Sequence, residues 1–408
     1  MRIAILTNEY PPHVYGGAGV HVEYLVREIA AAESSAHEIQ VLCFGDQRIE
    51  DGNLRVLGVE AQTELAAADP RHEKFLETMV RDVRMAGLID DAEIVHCHTW
   101  YSHFAGCLVQ RLHDARLVLT THSLEPHRPW KVEQLGTAYH ASSWIEETAY
   151  RNADGVIAVS DSMRDDVRDL YDVPEARIRV IPNGIDPEEY RPVDRPDVLE
   201  KHGIDPSKPF VLFVGRITRQ KGIIHLVNAI RFIEPGAQVV LCAGAPDTQE
   251  IAREMEAAVE AARRDGTHDI IWIAEMLPRD EIIALYSGAA VFVCPSVYEP
   301  FGIINLEAMA CETPVVGAAV GGIPGIVVEG ETGRLVAFEA RGPVDFEPAD
   351  PDRYSRDLAA AINELLQDTE LRTRMGRQGR QRVLDRYSWR AIAEQTLDFY
   401  RYLLEVRS

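Results

Sequence analysis

Residues 289–311 read AAVFVCPSVYEPFGIINLEAMAC, an apolar run that a short turn joins to a second, helix-like run. The run at 289–294 is typical of a buried strand, and the run from Ile303 to Cys311 is typical of a helix. Glu299 and Glu307 therefore bracket a strand-to-helix junction. Open α/β sheets bind ligands at such junctions, where the first helical turn offers N–H groups to phosphate oxygens. The stretch predicts a ligand site in an α/β fold.

Short apolar runs alternate with helical patterns on both sides of this stretch, which predicts βα units and parallel sheets. The expected strands of the first half are Ile3–Leu6, Ile39–Phe44, Ile94–Cys97, Leu117–Thr120, Gly155–Val159 and Arg179–Ile181. A second series comprises Phe210–Gly215, Val239–Cys242, Ile270–Ile273, Val291–Cys294, Pro314–Val316 and Gly333–Val336. The predicted fold class is α/β, with two doubly wound parallel-sheet (Rossmann-like) domains facing a cleft.

The chain has 408 residues, more than one hydrophobic core usually serves. A turn-rich segment begins at Pro182, and five further prolines follow it up to Pro209. We expect an N-terminal domain at 1–188, a linker at 189–209, a second domain at 210–386 and a C-terminal amphipathic helix within 387–408.

Composition limits the possible partners. The net charge of −23 argues against binding to nucleic acid or to an anionic membrane surface. None of the six cysteines forms C-x-x-C, and Cys43, Cys97, Cys242 and Cys294 lie in apolar runs, which predicts buried free thiols and a cytoplasmic protein. The N-terminal apolar run is too short for a signal peptide, and no run approaches the length of a membrane span.

Two loops could bind phosphate. Gly16 and Gly17 follow the first strand and open the first helix, where backbone N–H groups can approach an anion closely. The loop is not G-x-G-x-x-G, which disfavours a dinucleotide site and leaves a simple tight turn as the alternative. Arg216 and Lys221 lie at the matching junction of the second domain and could neutralise a diphosphate leaving group. Solvated surface charges are the alternative there.

The acidic and histidine positions allow more than one interpretation. Glu299 and Glu307 suit either a glycosidase pair or anchors for sugar and ribose hydroxyls. His122 ends an expected strand and would point into the cleft, unless it is a core histidine. The segment 125–131 contains His127, Arg128 and Lys131, so it is either an anion site or an exposed loop.

A metal site is not expected. His96, His98 and His103 form a histidine-rich segment, but no open set of ligands with a nearby acid is visible. Asp350-Pro351-Asp352 matches the D-x-D string of metal-dependent sugar transferases, yet it lies in a Pro-rich stretch and is taken as incidental.

These elements together resemble retaining glycosyltransferases of the GT-B fold, within the glycogen synthase superfamily. The resemblance covers essentially the whole chain and rests on the E-x7-E spacing of Glu299 and Glu307, on Arg216 with Lys221, and on the first glycine loop. SLEPHRPWK at 123–131 and QLG at 134–136 are similar to a short bacterial branch, which contains α-maltose-1-phosphate synthases and glycogen synthases.

The resemblance implies ADP-glucose as the donor and no metal or other cofactor. It implies that Arg216 and Lys221 hold the diphosphate, that Glu299 holds glucose hydroxyls and that Glu307 holds the ribose. It also implies donor contacts at Gly16, Gly17, Phe301, Gly302 and Ile303. His122 corresponds to the cleft histidine beside the reacting sugar, and the C-terminal helix is expected to cross back onto the first domain.

Two departures concern the acceptor. Elongating members usually have Lys where this chain has Val14, and they often have Asp where it has Thr99. His127, Arg128 and Lys131 suit an acceptor that carries phosphate, so glucose-1-phosphate is the expected acceptor and maltose-1-phosphate the expected product. The alternatives are elongation of an α-1,4-glucan, a glycoside hydrolase using Glu299 and Glu307, and a sugar-nucleotide sensor without turnover.

Overall fold

The computed structural model describes residues 1–14, 16–32, 37–61, 65–128, 131–264, 266, 268–342 and 345–406. Tyr15 of the glycine loop and Pro129 and Trp130 of the 123–131 segment lie outside the described residues. The chain forms two compact units: Met1–Gly184 with Trp389–Ser408, and Ile185–Ser388.

The first unit is built on an eight-stranded sheet with the order β3-β4-β2-β1-β5-β6-β7-β8. All neighbouring strands are parallel except β3, which pairs antiparallel with β4. The strands are β1 Arg2–Leu6, β2 Glu38–Phe44, β3 Arg48–Asp51, β4 Leu54–Val59, β5 Ile94–His98, β6 Arg116–Thr121, β7 Gly155–Ala158 and β8 Ile178–Val180. The helices are α1 Gly17–Ala31, α2 Glu73–Gly87, α3 His103–His113, α4 Val132–Leu135, α5 Ala138–Asn152 and α6 Asp161–Tyr171.

The second unit has a six-stranded parallel sheet with the order β11-β10-β9-β12-β13-β14. Its strands are β9 Phe210–Arg216, β10 Gln238–Gly244, β11 Ile270–Ile273, β12 Val291–Cys294, β13 Val315–Ala318 and β14 Gly333–Val336. Its helices are α7 Pro196–Lys201, α8 Ile223–Ala229, α9 Gln249–Arg264, α10 Arg279–Gly288, α11 Ile303–Ala310, α12 Ile323–Ile326, α13 Pro351–Gln367 and α14 Thr369–Arg386. Both sheets confirm the predicted α/β class.

The final helix, α15 Trp389–Glu405, belongs to the first unit and packs against α1. The ring of Trp389 stacks on Tyr24, with centroids 5.5 Å apart, and the hydroxyl of Tyr400 lies 2.5 Å from Nδ1 of His96. Burial of this aromatic face ties the end of the chain to its beginning, because each large apolar side chain removed from water contributes roughly 1.5–3 kcal/mol.

Each sheet has one switch point, where the chain stops adding strands on one side and begins on the other. In the first unit this point lies between β1 and β5, and in the second it lies between β9 and β12. Ligands of open α/β sheets bind beyond the carboxyl ends of the strands at such points. The order of the strands therefore selects the ends of β1, β5, β9 and β12 as candidate sites.

Two features differ from the expectations, and a third agrees with the interpretation of the D-x-D string as incidental. β3 and β4 were not among the expected strands, although Gly52-Asn53, the two residues that join them, are typical of a hairpin turn and Gly52 has φ +56°. The expected linker at 189–209 contains α7 and belongs to the second unit, where α7 packs against α10. Asp350 of the D-x-D string caps α13, because its carboxylate accepts a hydrogen bond from the N–H of Arg353 at 2.9 Å.

The predicted burial of Cys43, Cys97, Cys242 and Cys294 is confirmed, and all six cysteines are free thiols. Among the described residues, no helix combines the length and the apolar character needed to cross a membrane.

Candidate active site

The second unit brings the basic loop and the first of the two glutamates together at its switch point. β9 lies beside β12, with Leu212 opposite Phe292, although β10 and β11 separate them in sequence. The loop after β9 packs directly on the segment after β12: a side chain at Gly222, which has φ +60°, would lie 2.1 Å from the carbonyl oxygen of Pro295. The N–H of Val297 also donates to the carbonyl of Gln220 at 3.0 Å.

Lys221 and Glu299 form an ion pair at this junction. Nζ of Lys221 donates to Oε2 of Glu299 at 2.7 Å, and the hydroxyl of Ser296 donates to the same oxygen at 2.9 Å. The carboxylate is almost fully buried, with 7% of its side chain exposed. Burial works to lower the pKa of Lys221, but Glu299 and Cys294 act in the opposite direction, so the pKa is raised and the amine stays protonated.

Arg216 is the last residue of β9 and is much more exposed than Lys221. One of its guanidinium nitrogens lies 3.3 Å from Oδ1 of Asp247, which holds the side chain without burying it. A side chain at Gly215, the residue before Arg216, would lie 3.9 Å from Cγ of Lys221, so the two basic residues lie close together. The predicted basic pair is therefore one local patch of positive charge in an acidic protein.

Glu307 lies on α11, and tyrosine hydroxyl groups hold its carboxylate. The hydroxyl of Tyr286 donates to its Oε2 at 2.9 Å. Burial raises the pKa of Glu307, while hydrogen bonds from Tyr286 and Tyr190 oppose that shift, and the charge of Lys221 also acts on it.

Helix α11 begins directly after a glycine in the left-handed region of φ. Gly302 has φ +98°, and Ile303 is the first helical residue. The side chain of Phe301 is buried and packs edge-on against Tyr387, with centroids 6.3 Å apart, so it serves the core. Any donor contact at Phe301 would have to involve its backbone.

Gly321 and Gly322 were missed by the sequence reasoning. The N–H of Gly322 donates to the carbonyl of Glu299 at 2.9 Å, and a side chain at Gly321 would come within 1.9 Å of that oxygen. These glycines fix the backbone on which Glu299 is mounted. The sequence signal for them was a pair of adjacent glycines after an apolar run, which is the pattern recognised at Gly16 and Gly17. Asp247, Tyr286 and Ser296 were also missed, and nothing in their local sequence marks them.

In the first unit, the glycine loop binds a carboxylate of the protein itself, that of Glu9. The N–H of Gly16 donates to Oε2 of Glu9 at 2.8 Å, and the carboxylate of Glu9 is buried. A side chain at Gly19 would meet Glu9 at 2.7 Å. The amide of Gly16 can reach a donor phosphate only if Glu9 gives up this bond.

Thr99, one of the two positions that depart from the family pattern, lies at the carboxyl end of β5. It has φ +68°, a strained conformation for a β-branched residue. Its hydroxyl donates to Oδ1 of Asn8 at 2.8 Å, which joins the ends of β5 and β1 at the switch point. Such strain is often concentrated at functional sites.

His122 follows β6 and contacts a cluster of buried rings. Its Nε2 lies 2.9 Å from Nδ1 of His98, and its ring centroid lies 4.8 Å from that of His21. Burial lowers the pKa of His98 and of His122 well below the usual value, so both are neutral at pH 7. His122 keeps part of its surface exposed, whereas His98 is fully buried.

The donor atoms of His21, His98 and His122 lie within 4.8 Å of one another. Nδ1 of His98 and Nε2 of His122 are already engaged with each other. The cluster is therefore better described as packed, hydrogen-bonded rings than as a metal centre.

In the segment 125–131, which was expected to bind an acceptor, one of the basic side chains is already paired inside the protein. Nζ of Lys131 donates to Oε1 of Glu125 at 2.7 Å, and both side chains are buried. Burial lowers the pKa of Lys131 to about 8. The expectation that Lys131 contacts an acceptor phosphate disagrees with this position, because its charge is already paired inside the protein. His127 lies 3.5 Å from Asp166, and Arg128 donates to the hydroxyl of Ser123 at 3.2 Å.

A second buried acid supports the same segment. Oε1 of Glu146 accepts hydrogen bonds from the backbone N–H of Glu125, at 2.8 Å, and from the hydroxyl of Tyr171. Burial, together with the nearby charge of Glu125, raises the pKa of Glu146 to about 8. Between its ordinary pKa of 4.5 and this value, the folded protein holds a proton that the unfolded chain releases, so stability falls as pH rises.

We expect Glu146→Gln to flatten that pH dependence. Glutamine keeps an oxygen that accepts both hydrogen bonds and has no charge to bury. The melting temperature of the wild type should therefore fall by several degrees more than that of the variant between pH 5 and pH 8. Glu147→Gln, on the exposed side of α5, is the matched control and should follow the wild type. Parallel curves for wild type and Glu146→Gln would contradict the assignment.

Comparison with known proteins defines the class to which this arrangement belongs. The Glycosyltransferase Family 4 model matches residues 15–189, and the Glycosyl transferases group 1 model matches residues 194–342. The solved structure of sucrose-phosphate synthase from Thermosynechococcus elongatus superposes with a TM-score of 0.77 at 26% identity, covering 99% of each chain. The chain thus belongs to the GT-B glycosyltransferases with family 4 and group 1 domains, and it is a hexosyltransferase.

Two curated relatives are similar over nearly the whole chain. The alpha-maltose-1-phosphate synthase of Mycolicibacterium smegmatis is 47% identical, over 98% of this chain and 99% of that protein. The glycogen synthase of Mycobacterium tuberculosis is 30% identical, over 98% of this chain and 94% of that protein. The hydrolase interpretation of Glu299 and Glu307 is set aside by the family, whose members transfer sugars.

Proposed function

We propose that the protein transfers glucose from ADP-glucose to glucose-1-phosphate with retention of configuration, forming an α-1,4 bond and releasing maltose-1-phosphate and ADP. The observation that carries this proposal is the Lys221–Glu299 ion pair beside Arg216 at the β9–β12 switch point. Similarity to an alpha-maltose-1-phosphate synthase over the full length supports the acceptor.

The arrangement of the second unit suits a sugar nucleotide. Arg216 and Lys221 provide two cations for a diphosphate, and the backbone at Gly302 and Ile303 provides the start of α11. The fixed carboxylate of Glu299 would accept hydrogen bonds from glucose hydroxyls, and that of Glu307 from the ribose diol. In the first unit, Gly16 and Gly17 would approach the phosphates when Glu9 yields the amide of Gly16.

The chemistry follows from the charge distribution. The bond between C1 of glucose and the diphosphate oxygen breaks, and the cations stabilise the negative charge that develops on the leaving oxygen. The acceptor's 4-hydroxyl attacks from the same face, and its proton passes to the leaving phosphate. Lys221 and Arg216 take the part that a metal ion plays in other transferases, so we propose a metal-independent reaction.

His127 and Arg128 are the proposed ligands of the acceptor phosphate, with Lys131 holding the segment in place from inside through Glu125.

Elongation of an α-1,4-glucan is the second candidate. It is favoured by one observation, the withdrawal of Lys131 into a buried pair, which leaves only His127 and Arg128 of the three expected residues for a phosphate. The buried free thiols support a reducing compartment, and we propose the cytoplasm.

Incubation of radiolabelled ADP-glucose with either glucose-1-phosphate or glycogen tests the proposal. We expect label in a phosphorylated disaccharide, and UDP-glucose should be a poorer donor. Arg128→Ala should raise KM for glucose-1-phosphate about tenfold, because a charged hydrogen bond to phosphate is lost. Label in the polymer alone would establish the second candidate. Donor binding without turnover would indicate a sensor, and label in a lipid or polyol would overturn both acceptors.

A further inference from the structure

His98 is completely buried, and its two ring nitrogens have different surroundings. Nδ1 lies 2.9 Å from Nε2 of His122, whereas Nε2 has no hydrogen-bond partner among the described residues. A neutral imidazole carries one proton, on one of these nitrogens. The burial of a bare lone pair is tolerated better than that of an N–H group without an acceptor, which costs about 1–3 kcal/mol.

The proton of His98 therefore belongs on Nδ1, from which it donates to His122. His21 shows the same pattern. Its Nδ1 donates to Oδ1 of Asn183 at 2.7 Å, and its buried Nε2 is left as the bare nitrogen. Because Nε2 of His122 accepts from His98, the single proton of the neutral His122 ring must be on Nδ1. This nitrogen is the one that His98 does not engage.

We propose that His98 is a positioning residue that locks His122 in the Nδ1–H tautomer, so that His122 offers a hydrogen-bond donor to a sugar oxygen. This inference rests on the proposed function for the identity of the ligand. The register of the sheet makes the lock possible, since His98 lies opposite Thr120 and His122 follows two residues later.

The lock has a chemical consequence. A nitrogen that already carries its proton cannot remove the proton of the acceptor's hydroxyl, so His122 does not serve as a general base. That proton must go elsewhere, in agreement with its transfer to the leaving phosphate. A donor at Nδ1 instead fixes the orientation of a sugar hydroxyl by binding its lone pair.

The tautomer is measured directly by nitrogen NMR on the ligand-free protein labelled with ¹⁵N-histidine, because protonated and bare ring nitrogens resonate far apart. The resonances of His122 are identified by their loss in His122→Ala. We expect Nδ1 of His122 to be protonated and Nε2 bare at pH 7 in the wild type. A proton on Nε2 would overturn the proposal.

Two substitutions of His98 separate the effect of its hydrogen bond to His122 from the effect of its packing. Asparagine places an amide N–H near the position of Nδ1, whereas leucine fills the space without a donor. His98→Asn should keep the tautomer and most of kcat. His98→Leu should protonate Nε2 of His122 in a large fraction of molecules and lower kcat about tenfold, the effect of one lost hydrogen bond. Equal behaviour of the two variants would contradict the lock.

His103→Leu is the packing control, because His103 is equally buried and neither of its ring nitrogens has a hydrogen-bond partner among the described residues. This variant should leave the His122 resonances unchanged. If the wild type shows the expected tautomer but His122→Ala turns over at the wild-type rate, the catalytic part of the inference is overturned and the structural part stands. Absence of glucosyl transfer in the wild type would instead count against the proposed function.

Discussion

Replacing Arg216 by alanine is expected to lower kcat about 10³-fold while leaving the melting temperature within a degree or two of the wild type. Arg216 is exposed over 44% of its side chain and makes one ion pair, to Asp247, so folding depends little on it. The loss should fall on kcat rather than on KM, because the charge on the leaving diphosphate develops fully only in the transition state. Steady-state kinetics with ADP-glucose and a thermal melt measure both quantities.

Arg219→Ala is the matched control for this experiment. Arg219 lies in the same loop, has a similar exposure and makes a comparable ion pair, with Glu254 at 3.3 Å. We expect its removal to change kcat less than threefold, since its guanidinium is paired with Glu254 on α9. Turnover of Arg216→Ala near the wild-type level would rule out the assignment of Arg216 to the leaving group.

Disruption of the Lys221–Glu299 pair should have two effects that a double-mutant cycle separates. Lys221→Met leaves a buried carboxylate without its cation, which is expected to lower the free energy of unfolding by about 3 kcal/mol. Lys221→Met combined with Glu299→Gln removes both charges and should recover most of that loss. Activity should not recover, because each side chain has its own proposed contact with the donor. We expect Lys221→Met, Glu299→Gln and the double variant each to retain less than about 10⁻³ of wild-type kcat.

Urea unfolding and initial rates, measured on the same preparations, complete the cycle. Lys208 and Asp269 form an exposed pair of the same kind at 3.0 Å, and Lys208→Met should change stability by less than about 1 kcal/mol. If the double variant were as active as the wild type, the pair would be a structural feature with no contact to the donor.

Much of the fold could be predicted because burial on both faces makes a parallel strand a continuous apolar run. The expected strand Val291–Cys294, which is buried at every position, has the observed bounds, and so do the expected edge strands Ile270–Ile273 and Gly333–Val336. β3 was missed because it is an exposed edge strand with the sequence RIED, which lacks that apolar run, whereas β4 has an apolar sequence, LRVLGV, and was overlooked. The stretch at 189–209 looked like a linker because its prolines hide the short helix α7, whose burial against α10 depends on distant residues.

The candidate site residues were predicted less well than the strands. Glu299 and Lys221 could be proposed separately because each follows an apolar strand, and the structure shows them bonded at 2.7 Å. Lys131 was expected to face a ligand, since a cation in a short basic segment is usually solvated. Its pairing with Glu125 is a local contact, but the burial of that pair comes from the packing of α5 and α6 around it.

The sequence by itself determined the α/β class, the positions of most strands and the residues that end them, because those properties depend on local apolar patterns and on turn residues. The tertiary structure alone decided which strand ends are neighbours. The placement of β9 beside β12 and of β5 beside β6 follows from the crossover connections. Those contacts join Lys221 to Glu299 and His98 to His122, and a local pattern carries no information about them.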